Sequence, residues 1–212
     1  MYYKDMLGYF AGDLQLLDNG NISYGWNHMF LIMDSTFTII DTVKPRSGIM
    51  FDVHELKILP NGNYLLFGEE DVYRDLSSYN MFLGNHSPGS THARVRAGVV
   101  EELDSARNVV FEWHAIDHFN FDDVDEFFIS DTTLVDWTHY NAIEVDTDGN
   151  LLISCRHFDE ITKISRTDSS VIWRMGGKRN QFNFVNDSSM FLLPGVRGIV
   201  VENAQPELHE AV

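Results

Sequence analysis

The chain has 212 residues, 44% of them hydrophobic, enough to bury a sizeable core in one domain or one and a half. Its 32 acidic side chains stand against 15 Lys and Arg, a formal charge of −17. Such a field repels nucleic acid and anionic lipid, so an anionic small molecule would need a local cationic pocket.

The only cysteine, Cys155, excludes an intrachain disulfide framework. The opening stretch MYYKDMLGYFAGD has neither the charged nor the apolar region of a signal peptide, and no apolar run approaches membrane-spanning length. The expectation is a soluble protein without nucleic-acid or membrane partners. Compartment and oligomeric state stay open.

In chain order, three stretches share one plan: an alternating apolar run, a Gly-centred turn, then a second alternating run. They are LQLLDNGNISYGW (14–26), HELKILPNGNYLLFG (54–68) and NAIEVDTDGNLLISCR (141–156). Asn19-Gly20, Asn61-Gly62 and Asp148-Gly149 are dipeptides that favour two-residue hairpin turns. Each hairpin is followed by a second apolar pair of runs, at 30–43, 98–113 and 160–173. A hairpin followed by a hairpin is a four-stranded meander, the content of a propeller blade. Gly20 and Gly62 lie 42 residues apart, a usual blade length, whereas Gly62 and Gly149 lie 87 apart. Two insertions, 69–97 and 115–135, account for the excess. The first reads as loop, and the second, acidic one could hold a short helix.

The class is therefore all-β, a partial (open) β-propeller of about three four-stranded blades, at about 8–50, 51–136 and 137–186. An ordinary β-sandwich with three such hairpins is the alternative. Residues 187–212 form a divergent tail. Its apolar patch (Met190–Leu193, Ile199–Val201) carries no further Asp-Gly or Asn-Gly hairpin, so the chain reads as a truncated form or part of a larger protein.

Candidate chemistry gathers at the hairpin starts. In Asp136-Trp137-Thr138-His139-Tyr140-Asn141, strand alternation puts His139 and Asn141 on one face. A two-residue turn at Asp148-Gly149 sets Asn141 opposite Arg156. Imidazole, carboxamide and guanidinium then converge on a place suited to a tetrahedral oxyanion. The plainer reading pairs Arg156 with Asp159 or Glu160 and leaves His139 satisfying a strand end. His54, in Phe51-Asp52-Val53-His54, opens the second hairpin at the place equivalent to His139 and is expected to face the same cavity; a solvated strand-end histidine is the alternative.

Other motifs are weaker. His114-x3-His118 has metal-ligand spacing without the glutamate or helix that would support it, and Asp122, Asp123 and Asp125 lack the glycine and terminal glutamate of a calcium loop. Gly176-Gly177-Lys178 is not a P-loop, because the upstream glycine is absent. No metal and no cofactor is expected.

The segments DVHELKILPNGNYLL and DWTHYNAIEVDTDGNLLISCRHFDEITKISRTDSSVIWRMGGKRNQFNF resemble the arylsulfotransferase (aryl-sulfate sulfotransferase) family, with D-W-x-H-x-N, S-x-R-H and I-W-R-x-G-G-K in family order. The resemblance covers most of residues 29–186. It implies a six-bladed propeller that moves a sulfuryl group from an aryl sulfate to a phenol through a sulfo-histidine, without a nucleotide donor. It also implies an exported protein. His54, His139, Asn141 and Arg156 match residues lining the family's sulfuryl pocket, the histidines in catalysis and the other two in substrate binding. The family's nucleophilic histidine follows the G-G-K segment in a Q-H-D-like motif. Residues 186–194 here read NDSSMFLLP, and His209 lies in an acidic tail without that motif. The nucleophile is therefore left unassigned. The expectation is an arylsulfotransferase-like chain, truncated and inactive by itself, with a non-catalytic β-propeller binding module as the alternative.

Overall fold

The computed structural model describes residues 11–81, 87–125 and 134–182. The tail segments discussed above, including 186–194 and His209, lie outside the described residues. Among the described residues the chain is nearly all β, with three four-stranded antiparallel meanders in a curled, partial propeller.

The first sheet runs in sequence order through β1 (Ala11–Leu16), β2 (Ile22–Trp26), β3 (Met29–Met33) and β4 (Ile39–Val43). The second contains β5 (Met50–Ile58) and β6 (Tyr64–Arg74). A two-stranded ribbon, β7 (Asn80–Met81) with β8 (Ser87–Pro88), follows, and then β9 (Ala93–Leu103) and β10 (Val109–His114) complete the sheet. A short helix α1 (Ala115–His118) and a 3-10 turn (Phe121–Asp123) follow, and β11 (Val135–Asp136) pairs in parallel with β9. The third sheet is β12 (Tyr140–Val145), β13 (Leu151–Cys155), β14 (Glu160–Ile164) and β15 (Val171–Gly176).

Two sequence expectations need correction. The insertion 69–97 is not simply loop: β6 and β9 pair without interruption from Tyr64↔Leu103 to Arg74↔Ala93, so the hairpin itself is longer. Its polar stretch holds because opposite charges meet across the strands, Arg94 and Arg96 both donating to Asp71. The second correction concerns the turns. Gly149 N donates to Asp146 O and Asp146 N to Asn150 O, both at 2.8 Å, with Gly149 at φ +83°. This is a type I turn closed by a left-handed glycine, one residue longer than the two-residue turn expected. The same pattern recurs at Leu17–Asn21 and Leu59–Asn63. In all three the Asn or Asp before the glycine accepts the N–H of the asparagine after it, at 3.0 Å. The register of β12/β13 accordingly shifts by one: Ala142 faces Ser154 and Val145 faces Leu151.

The large core cluster joins the second and third sheets around Trp113, Trp137, Tyr140, Phe67 and Phe158, all at most 1% exposed. Burying one such aromatic stabilises by roughly 4 kcal/mol, taking ~150 Å² at ~25 cal/mol per Å². A smaller cluster of Phe30, Ile32, Val43, Leu56, Leu66 and Leu103 joins the first and second sheets. Tyr140 packs on Gly98, where a Cβ would come within 2.2 Å of the ring. Only glycine allows that seam.

The inner strands are also linked by carboxylates. Leu56 N donates to Asp13 Oδ2 at 3.0 Å and Ile143 N to Glu55 Oε2 at 3.3 Å. Asp13 and Glu55 each stand seven residues before a turn glycine, and Leu56 and Ile143 six. The same backbone donor is thus capped twice by an acid from the preceding sheet. In the third sheet the acid's position holds Ala142.

Candidate functional site

The open ends of the second and third inner hairpins, opposite their turns, carry the candidate residues. Both are irregular. The pairing of β5 with β6 slips between Phe51 and Leu56, and the interrupted stretch holds Asp52, Val53, His54 and Glu55. In the third sheet β12 begins only at Tyr140, and His139 before it is left-handed at φ +48°. A non-glycine held there costs of order 1 kcal/mol or more and persists where its surroundings over-determine it. Here they do: His139 O accepts Arg156 N at 3.0 Å, and the Thr138 hydroxyl accepts Gly98 N at 2.8 Å.

Each histidine is held by its own aspartate. His54 Nδ1 lies 2.6 Å from Asp52 Oδ1, and His139 Nδ1 lies 2.5 Å from Asp136 Oδ2. A carboxylate only accepts, so each Nδ1 carries the proton and each Nε2 is turned away from its aspartate. The rings meet edge to face with centroids 5.0 Å apart. The two histidines are not equivalent in the repeat, however: His54 stands eight residues before its turn glycine and His139 ten, so Asn141 is the counterpart of His54. They meet because the two strand starts deviate from regular pairing in different ways.

Arg156 does not continue β13. It opens a 3-10 turn, Arg156–Phe158, and although the residue is exposed its Nη1 reaches to 3.4 Å from His139 Nε2. Asn141 is the extra residue of the β12/β13 irregularity, between Tyr140↔Cys155 and Ala142↔Ser154. It is therefore not directly opposite Arg156, as the shorter turn would have had it. Asn141 and Arg156 do line one open depression together with Asp159, Met175 and Gly176. His54 lines a neighbouring depression with Asn27, His28, Asp52 and Glu69.

Several members of this cluster were not singled out from sequence. His157 donates from Nδ1 to the Asp136 carbonyl at 2.6 Å, and its ring lies 4.7 Å from that of His139. Glu69 and Asp71 both pair with Arg96, at 3.4 and 3.1 Å. The spacings Asp-x-His at 52–54 and Asp-x-x-His at 136–139, and the Arg-His pair at 156–157, were the available signals.

Electrostatics follows from this crowding. The hydrogen bond that His54 donates to Asp52 raises the His54 pKa above the usual imidazole value. Burial pushes the Glu69 carboxyl up to about 7, and neighbouring Asp52 pushes the same way. Burial also works to raise Asp136, but the His139 hydrogen bond and nearby His157 outweigh it and lower its pKa. Desolvation lowers the pKa of His157. The result is a patch where imidazoles shifted in opposite directions, His54 up and His157 down, lie beside guanidinium groups, a setting for proton transfer and oxyanion binding.

His114 and His118 do not form a site together. His114 bridges Glu70 and Glu112 at 2.7 and 2.8 Å, while His118 stacks on Trp113. The Cys155 thiol is buried, and burial pushes its pKa up.

Comparison with known proteins gives a family match over almost the whole chain: the arylsulfotransferase (ASST) family model matches residues 1–196. No match was found among curated proteins. Among solved structures, a protein of unknown function from Bacteroides caccae is similar at 11% identity with a TM-score of 0.48, over 82% of this chain and 48% of that one. The chain spans about half the length of that structure.

Proposed function

The chain belongs to the arylsulfotransferase family, and from that premise we propose that the His54–His139 cluster binds the sulfuryl group of an aryl sulfate and exchanges protons with phenols. The observation that carries this reading is the meeting of two Asp-anchored imidazoles, 5.0 Å apart, with the Arg156 guanidinium 3.4 Å from one of them.

In the proposed chemistry a nucleophile that no described residue is assigned to supply bonds to sulfur as the S–O bond to the aryl oxygen breaks, and the departing phenolate takes a proton from one imidazolium. The acceptor phenol then gives its proton to an imidazole while its oxygen forms the new S–O bond and the nucleophile leaves sulfur with the electrons of the bond that breaks, so the site returns to its starting state. Charge spreads over the sulfuryl oxygens in a loose transition state, as in phosphoryl transfer. Arg156, with Asn141 beside it on the depression, meets that charge. Asp52 and Asp136 hold the imidazoles in the tautomer whose Nε2 exchanges the proton. None of the described residues is assigned as carrier of the sulfuryl group between donor and acceptor.

A second reading is supported by the sequence NDSSMFLLP at 186–194, where relatives carry the nucleophile's motif. In that case the same pocket binds aryl sulfates without turning them over. Release of a chromogenic phenol from its sulfate ester, with and without a phenol acceptor, separates the two. Acceptor-dependent release with a sulfuryl adduct on the protein supports the enzyme. Calorimetric binding of phenyl sulfate without release, weakened at least tenfold in Arg156→Ala, supports the binding module. Neither release nor Arg156-dependent binding would overturn both.

A further inference from the structure

Asp136 and His157 do more in this cluster than the sulfuryl reading requires. With His139 they bring one carboxylate oxygen and two imidazole nitrogens within 4.8 Å of one another. We propose that Asp136, His139 and His157 form a binding site for a divalent transition-metal ion of the zinc class.

The donor set fits that chemistry. Two imidazoles and one carboxylate are the protein ligands of many zinc sites that keep a further coordination position open. Borderline nitrogen donors favour late first-row ions over magnesium or calcium, which prefer all-oxygen shells. The set is also supported from behind. His157 Nδ1 donates to the main-chain carbonyl of Asp136 at 2.6 Å, which fixes the ring and makes Nε2 the nitrogen that would ligate. The left-handed backbone at His139 is pinned by its carbonyl's bond to Arg156 N. Two of the three ligand side chains are thus held from one strand start and one 3-10 turn.

Geometry asks for a modest rearrangement, the Asp136–His139 pair opening from 2.5 Å and the wider-spaced donors, within 4.8 Å, closing. Ligand bonds of ~2.0–2.1 Å put neighbouring donors roughly 3.3 Å apart in a tetrahedral shell. The Asp136 and His139 side chains are 39% and 22% exposed, so both have room to rotate, whereas His157 is 8% exposed and stays as the fixed point. The ion would replace the proton now shared between Asp136 Oδ2 and His139 Nδ1. Asp136 and Asp52 supply negative charge at the same strand starts, set against Arg96, which pairs with Glu69 and Asp71, and the Arg156 guanidinium on the Nε2 side of His139. The proposal is independent of the sulfuryl reading, because it is tested by metal binding with no sulfate ester present.

The experiment uses the full chain free of any histidine tag. Co²⁺ titration is followed by its visible absorption, and Zn²⁺ is then added in competition and measured calorimetrically. One ion per chain is expected, with zinc displacing cobalt, and at least tenfold weaker binding in Asp136→Asn and in His157→Gln. Asp136→Asn keeps the shape and a hydrogen-bond acceptor, so it decides the matter if His157→Gln folds poorly. His114→Ala, which removes the histidine bridging Glu70 and Glu112, should leave the affinity within twofold. No cobalt spectrum and no zinc heat would overturn the site, as would full-strength binding in Asp136→Asn or its loss in His114→Ala.

Discussion

At their turns the hairpins β1/β2, β5/β6 and β12/β13 are nearly interchangeable, each an Asn or Asp, a left-handed glycine and an asparagine in the same hydrogen-bond pattern. At their open ends they differ in residues, in register slip and in backbone strain. The second loses pairing between Phe51 and Leu56, and the third starts from a left-handed His139. The turn ends need only a local hydrogen-bonded motif, and any blade can reuse it. The open ends must aim particular side chains across a seam, so each deviates from regular pairing in its own way. Repetition builds the scaffold, and departure from it places the candidate site.

The largest expected effect tests the seam. Gly98→Ala puts a Cβ against the Tyr140 ring and should destabilise by about 3 kcal/mol, as overpacking of a filled core does, read from the shift in urea midpoint. A loss below ~1 kcal/mol would mean that the second and third sheets slide freely.

Next comes Glu69, an acid raised by burial to about 7 from an ordinary value of 4.5. Between those pH values the folded protein holds a proton that the unfolded chain has released. Stability is therefore highest below the unfolded pKa and declines as pH rises through about 7. In Glu69→Gln the difference in unfolding free energy between pH 5 and pH 8 should shrink by about 2 kcal/mol. An unchanged pH profile would place the carboxyl in a more solvated setting than the open end provides.

Glu55→Ala strips the cap from Ile143 N, and leaving that donor unpaired should cost about 1–2 kcal/mol. Glu55→Gln keeps an acceptor and should cost less than half as much. Equal losses would show that charge, through Lys57 at 3.7 Å, matters more than the cap.

The smallest effect belongs to the turns. Gly149 has φ +83° with open space around its Cα, so Gly149→Ala is strained but not crowded and should cost about 1 kcal/mol. Matching values at Gly20 and Gly62 would confirm that the turns are equivalent. A spread wider than ~1 kcal/mol would break that half of the comparison.

The three-sheet meander was legible in sequence because Asn-Gly and Asp-Gly between alternating runs mark hairpins strongly. The register was not, because the same dipeptide serves both the two-residue turn and the longer turn with a left-handed glycine. That one-residue slip removed Asn141 from its place opposite Arg156. The extended part of β6/β9 was hidden by its charge: EEDVYR and ARVRA look like solvated loop until Asp71 is seen between Arg94 and Arg96. His54, His139 and Arg156 stood out as hairpin-end donors. Asp52, Asp136 and His157 lie in the same motifs without standing out, since a neighbour two or three residues away announces nothing until the backbone folds it back.

The most direct test of the site is a long-range ¹H–¹⁵N spectrum of the histidine side chains during titration with phenyl sulfate. The Nε2 signals of His54 and His139 should move together and saturate at one dissociation constant, while those of His92 and His118 stay still. In Arg156→Ala the same shifts should need at least tenfold more ligand. Movement of only one of the two rings, or of neither, would contradict a shared oxyanion pocket at the open ends of the second and third hairpins.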